Sequence, residues 1–195
     1  MNDLEAIRQA ILDDPANADA TAAGILPLYT ASAESRIAVI GQAPGKKAQD
    51  SGIPWNDQSG INLRQWLGVS DEQFYDPDLI ALLPMDFYYP GKGPHGDLPP
   101  RTGFASTWHP RILAHLPALQ LTILIGRYAQ VAYLGRSQKA NLTETVKSFR
   151  DYLPDYFPLV HPSPLNFRWQ AKNPWFATDV LPVLRQAVGT IVSSA

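Results

Sequence analysis

Tyr156-Phe157-Pro158-Leu159-Val160, followed by His161-Pro162-Ser163-Pro164-Leu165-Asn166, is an apolar strand-like run that delivers a histidine into a proline-braced loop. The chain repeats this arrangement once. Arg36-Ile37-Ala38-Val39-Ile40 is a compact β-branched run that ends in Gly41-Gln42-Ala43-Pro44-Gly45. Two tight loops at two strand ends, one carrying a histidine and the other a polar amide, describe a small-ligand site. Leu165 stands beside that histidine as an apolar wedge.

Outward from these stretches the chain alternates strand and helix. Residues 79–83 and 121–125 are further short apolar runs, the first stopped by Pro84 and the second by Gly126. Helical spacing appears at Leu4, Ile7, Ile11 and Leu12, and at Ile61, Leu63, Trp66 and Leu67 between Ser59 and Gly68. It recurs around Trp108, Ile112 and Leu116, from Gly126 to Leu134, and from Asn141 or Thr143 toward Arg150. Asn173 and Pro174 open the last helix, which Pro182 is expected to kink. Residues 13–21 and the segment after Gly41 read as loops, as does 86–103, which is dense in Gly, Pro and aromatic residues.

Strands that are short and apolar on both faces belong to a parallel sheet covered by helices on each side. The expected fold is therefore α/β, a three-layer αβα arrangement around a mainly parallel four-stranded sheet. Residues 1–195 read as one domain, with the N-terminal helical region 1–30 packed on it. In such sheets ligands bind beyond the carboxyl ends of the strands. The loops at Gly41, Pro84 and His161 all belong to that edge, so one shared site is expected.

Composition narrows the chemistry. The 195 residues include no cysteine, which removes disulfides, thiolate metal sites, cysteine nucleophiles and cysteine-ligated clusters. No apolar run approaches the ~20 residues of a membrane span, and no charged n-region precedes an apolar h-region, so a cytoplasmic location is expected. The formal net charge of -2 argues mildly against a strongly basic nucleic-acid binder. Phosphate contacts depend on placement, however, and Lys46, Lys47, Lys92, Arg101 and Arg168 lie in or beside the Gly/Pro loops.

From about Ile37 to the C-terminal helix the sequence resembles the uracil-DNA glycosylase superfamily. Gly41-Gln42-Ala43-Pro44-Gly45 is similar to its water-activating loop, nearest to the Gly-Glu-Ala-Pro-Gly branch. Gly52-Ile53-Pro54-Trp55 and Gly60 stand where that branch has Gly-x-Pro-Phe and a later Ala-Gly, and Leu124-Ile125-Gly126 is similar to the third-strand region. His161-Pro162-Ser163-Pro164-Leu165-Asn166 matches the second motif almost letter for letter. Departures accompany the match. Gln42 replaces the branch glutamate, Ala43 stands where other branches place Asp or Asn, and the base-reading Asn is missing around Pro84-Met85-Asp86. The branch cluster cysteines are absent.

The resemblance implies a DNA-repair glycosylase acting on a flipped deaminated base, uracil first, with no metal, iron–sulfur cluster or other cofactor, working on DNA as a monomer. It implies that His161 donates to the base carbonyl and that Gln42 orients the water. Trp55 is expected to stack on the base beside Ala43. Asp57 and Asp86, the nearest carboxylates in the motif-bearing loops, are expected to supply the charge that an amide lacks, Asp57 in catalysis and Asp86 beside the base. The expected DNA contacts are Pro44, Gly45, Lys46, Ser163, Pro164, Leu165, Asn166 and Arg168. Tyr88, Tyr89, Lys92 and His95 are expected beside the groove. Two other readings stay open: a non-catalytic module that binds damaged or abasic DNA, and a domain acting on a small nucleoside.

Overall fold

The computed structural model describes residues 3–94 and 96–194. Four short runs of β-branched and aromatic residues form the central sheet: β1 (Ile37–Ile40), β2 (Ile80–Leu82), β5 (Leu121–Ile125) and β6 (Tyr156–Leu159). Between β2 and β5 lies a separate two-stranded hairpin, β3 (Lys92–Gly93) and β4 (Gly96–Asp97). The sheet order is β2-β1-β5-β6 and every pairing in it is parallel, with Ile37 opposite Ile80 and Leu121, and Ile125 opposite Leu159. The expected three-layer α/β architecture is therefore the observed one. Pro158, which has no N–H for a ladder, is tolerated because β6 is an edge strand.

Alternation along each strand sends successive side chains to opposite faces, and both faces are buried. Ile37, Val39, Ile80, Leu82, Ile123 and Phe157 point to one core. It is closed by α4 (Gln58–Leu67), α5 (Asp71–Tyr75), α8 (Leu142–Lys147) and α10 (Leu181–Ser193), through Leu63, Leu67, Phe74, Val146, Leu184 and Val188. Ala38, Ile40, Ala81, Leu83 and Leu124 face the other core, under α1 (Asp3–Asp13), α6 (Phe104–Leu113) and α7 (Gly126–Leu134). Each fully buried Leu, Ile or Phe here contributes on the order of 1.5–3 kcal/mol of transfer free energy.

The exposed edge of β2 is covered from the N-terminal side. Thr30 and Leu82 exchange backbone hydrogen bonds at 3.1 and 2.9 Å. Arg8 of α1 anchors that segment by donating to the carbonyls of Pro27 and Tyr29 at 3.1 and 2.9 Å.

Three loop expectations and one helix start are corrected. Residues 13–21 are not a plain loop: Asp14 caps a 3-10 turn at Pro15–Asn17, which leads into α2 (Ala18–Ala22). The segment after Gly41 contains α3 (Lys46–Ser51), and the aromatic-rich segment contains the β3–β4 hairpin. The cap of α4 is Asp57, whose Oδ1 accepts the Gly60 N–H at 2.9 Å, rather than Ser59. Pro182 occupies the first turn of α10, where its missing N–H is tolerated, and a π-turn at Phe176–Val180 interrupts the helical pattern just before it. The short α9 (Phe167–Lys172) completes the helices, directly after the histidine loop.

Candidate active site

The carboxyl ends of β1, β2 and β6 lie together. Beyond β1 the Gly41 and Gln42 carbonyls accept the N–H groups of Met85 and Asp86 at 2.8 and 3.2 Å, which ties the first loop to the exit of β2. Beyond β6 the chain turns at His161. Between these loops is a cavity of about 410 Å³, into which Gln42, Ala43, Pro44, Gly45, Trp55, Asp57, His161, Ser163 and Leu165 all contribute. The two stretches separated by more than a hundred positions in sequence thus share one pocket.

Trp55 forms the wall between them, and three contacts fix it. A Cβ on Gly41 would lie 2.8 Å from the Trp55 indole, so the ring rests directly on that backbone. A Cβ on Gly60 would lie 1.8 Å from the Trp55 carbonyl oxygen, so only glycine lets α4 start this close. Trp55 itself has φ 56, a left-handed conformation that is costly for a bulky side chain and persists where surrounding packing imposes it. Its ring centroid is 5.9 Å from that of His161, at an interplanar angle of 33°.

The histidine loop is braced at each residue. Asn62 of α4 donates to the Pro162 carbonyl at 2.8 Å, and Asn166 donates to the His161 carbonyl at 2.7 Å. The Ser163 hydroxyl accepts the Leu165 N–H at 3.2 Å, and the Ser163 N–H donates to His161 Nδ1 at 3.1 Å. Burial holds the His161 imidazole below its ordinary value, against the opposing pull of the Asp57 carboxylate. A neutral ring whose Nδ1 accepts a hydrogen bond carries its proton on Nε2. Asp57 therefore has two tasks, capping α4 and facing the imidazole.

Not every expected residue meets the pocket. Asp86, expected beside the base, is fully buried and is not among the residues that line the cavity. Its two oxygens are taken by Arg101 Nε and Nη2 at 2.7 and 2.8 Å, and by the N–H groups of Tyr88 and Arg101 at 3.1 Å. The same Arg101 reaches Asn17 Oδ1 at 2.7 Å, so this ion pair ties the long loop to the N-terminal turn. Lys46 pairs with Asp50 one turn along α3 at 2.8 Å, both exposed. Arg168 lies over the Phe167 ring at 5.7 Å, and neither it nor Pro164 nor Asn166 lines the cavity. Tyr88 is buried, which pushes its phenol up to about 12. Lys92 is exposed on the hairpin, and His95 lies outside the described residues.

Several contributors escaped the sequence reading. Ser59, Gly96 and Asp97 also line the cavity, Asn62 braces the histidine loop, and Phe167 stands exposed two residues beyond Leu165. Phe167 adjoins the second motif and its aromatic character is a readable signal. Asp97 carries none, because its hairpin is too short to show a period.

A family model, that of the Uracil DNA glycosylase superfamily, matches residues 28–185, well over half of the chain. The chain belongs to the uracil-DNA glycosylase superfamily. Members of this superfamily are generally DNA glycosylases. The match begins at the segment that covers the β2 edge and ends within α10, so it takes in the sheet and both motif loops. The cluster of the Gly-Glu-Ala-Pro-Gly branch does not fit this member, whose sequence holds no thiolate ligand. Among the described residues, no group of three His, Asp or Glu side chains is placed to hold a metal ion, and no helix is long and apolar enough to cross a membrane.

Proposed function

We propose that the protein is a monofunctional DNA glycosylase that hydrolyses the N-glycosidic bond of an extruded deaminated base, with uracil the first candidate. The observation that carries this reading is the His161 ring: neutral, Nε2-protonated, and lining the same cavity as Gln42 and Trp55. Under it the chain acts as a single domain and a monomer, in the cytoplasm, without a metal or other cofactor.

Breaking the bond places positive charge on the sugar and negative charge on the departing base. Preorganised donors and charges aimed at those positions lower the barrier, typically by about 10²–10³ in rate for one donor. The His161 Nε2–H serves the base carbonyl, and Trp55 supplies a face on which the base stacks, with the small Ala43 leaving it room. Asp57 offers negative charge on the sugar side and Gln42 orients the water. An amide takes up no proton, which suits a reaction whose water meets a cation already largely formed. Gly45, Pro44 and Lys46 on one rim, and Ser163, Pro164, Asn166 and Arg168 on the other, approach the phosphates. Leu165, 86% exposed, fills the gap left by the extruded nucleotide.

The test is excision from strands carrying uracil, hypoxanthine or xanthine, read by alkaline cleavage at abasic sites. His161→Ala and Gln42→Ala should each lose orders of magnitude in rate. Equal activity in both variants and the parent removes the mechanism. A second reading is favoured by position 42, where an amide bound to the Leu98 carbonyl at 3.3 Å replaces a carboxylate. It makes the domain a binder of damaged or abasic DNA. Tight binding with no product on any base would establish it.

A further inference from the structure

We propose that Asp97, on the β3–β4 hairpin, is the carboxylate that accepts the proton of the attacking water, replacing from another part of the chain the acid that position 42 lacks. The inference rests on the glycosylase reading above and assigns a catalytic residue to that same site.

Among the described residues two carboxylates line the cavity, Asp57 and Asp97. Asp57 is committed: its Oδ1 holds the first turn of α4 through the Gly60 N–H, and its charge faces His161. Asp97 is held differently. Tyr89 donates its hydroxyl to Asp97 Oδ1 at 3.2 Å, and no hydrogen bond among the described residues engages Oδ2. No described cation pairs with it within 4 Å either, although Lys92 is its cross-strand neighbour. One oxygen is thus oriented and the other is open to a water.

The hairpin is fastened to the loop it would complement. Gln42 Nε2 donates to the carbonyl of Leu98, the residue after Asp97, at 3.3 Å. That bond takes one of the two amide N–H donors and fixes the orientation of the group, leaving Oε1 able to accept from a water. Gln42 and Asp97 together then offer one oriented oxygen and one basic oxygen. A carboxylate at the mouth of a nucleic-acid site repels phosphate, a cost of position unless a positive charge develops near it. The sugar cation of this reaction is such a charge.

The step balances without any further reagent. The C1′–N bond breaks and its electron pair leaves on the base, whose carbonyl accepts the His161 Nε2–H. The water oxygen bonds to C1′ and its proton passes to Asp97, then to solvent, while the departed base takes up one proton from solvent. The sum is one water added across one bond.

Single-turnover excision by the full chain tests this, on whichever strand of the uracil, hypoxanthine and xanthine panel the parent protein cleaves. Asp97→Asn and Asp97→Ala should each lose about 10²–10³ in rate with an unchanged thermal midpoint, and added formate should restore at least tenfold of it in Asp97→Ala, where the truncated side chain leaves room for the ion. Tyr89→Phe, which keeps the carboxylate but frees it, should lose about tenfold. An Asp97→Asn rate within about threefold of the parent, with His161→Ala inactive, would overturn the inference and leave the glycosylase reading standing. A loss that formate does not relieve would make Asp97 structural and overturn it equally. Should Asp97→Asn fail to fold, a parental rate in Tyr89→Phe decides against it. A parent that releases none of the three bases sinks both readings.

Discussion

The backbone N–H of Ser163 donates to His161 Nδ1 at 3.1 Å, so a residue two positions along the chain sets which imidazole nitrogen keeps the proton. Long-range proton–nitrogen NMR at neutral pH should show the Nε2-protonated tautomer of a neutral ring. Ser163→Pro removes that N–H and should mix the tautomers and cut the excision rate by about tenfold or more, while Ser163→Ala retains it and should affect DNA affinity more than tautomer. A cationic His161 at neutral pH in the parent would contradict the geometry.

Acid should destabilise the fold before the carboxylates titrate. Burial holds His109 down to about 4, with Nε2 against the Pro84 carbonyl at 2.9 Å and Nδ1 against the Tyr133 hydroxyl at 2.7 Å. His161 is lowered in the same direction by the same cause. Between the ordinary imidazole value of 6.5 and about 4, the unfolded chain binds protons that the native chain refuses. Stability therefore rises with pH across that window, is fully present above it, and is lost as pH falls through it. Thermal midpoints measured at intervals from pH 7 to 4 should fall, and less steeply in His109→Gln. Because Pro84 lines the site, the same titration should loosen the pocket wall.

Gly41 and Gly60 make opposite kinds of contact with Trp55. Gly41→Ala would press a methyl on the far end of an indole that can tilt, so stability should change little while excision falls, by about an order of magnitude if a misplaced stacking face behaves like other misaligned groups. Gly60→Ala drives a methyl into the Trp55 backbone carbonyl, which has nowhere to go. It should cost about 1–3 kcal/mol and lower the unfolding midpoint visibly. Equal midpoints for the two variants would show that the α4 start is not packed as described.

Asp86→Ala should unfold the protein more readily without touching the chemistry. Removing the carboxylate strands Arg101 between the long loop and Asn17, at a cost of about 2–4 kcal/mol, less than for a fully enclosed pair because Arg101 reaches solvent. The fraction that stays folded should excise at the parental rate. A specific change in base preference would instead return Asp86 to the pocket.

What the sequence disclosed and what it hid follow from the range of the interactions involved. The sheet was legible because short, continuously apolar runs end at Gly or Pro loops, and the pocket because its two loops occupy the same edge of any such sheet. Asp57 and Ser59 are comparable caps by residue type, so the choice between them depended on where α4 meets Trp55. The fate of Asp86 depended on Arg101 fifteen positions later, on a loop with no periodicity. Asp97 reached the cavity through a hairpin of two residues a strand, below the length at which alternation is readable. Local pattern reports local structure; a carboxylate's partner across a loop leaves no trace in it.

Leu165, which lines the cavity, and Phe167, two positions on at the start of α9, are 86% and 62% exposed. Exposure this large for two bulky side chains buys the free protein nothing, so truncating either should leave the unfolding midpoint where it was. Their use is expected in the complex, where an apolar wedge between base steps offsets the few kcal/mol lost on extruding a paired nucleotide. That cost is small in single-stranded DNA. Leu165→Ala and Phe167→Ala should therefore reduce excision from a duplex about 10-fold or more and from a single strand far less, with the double variant the most selective. Rates on both substrates, measured under single-turnover conditions with saturating protein, check it. An equal loss on the two would assign this pair to general DNA affinity instead of to opening the helix.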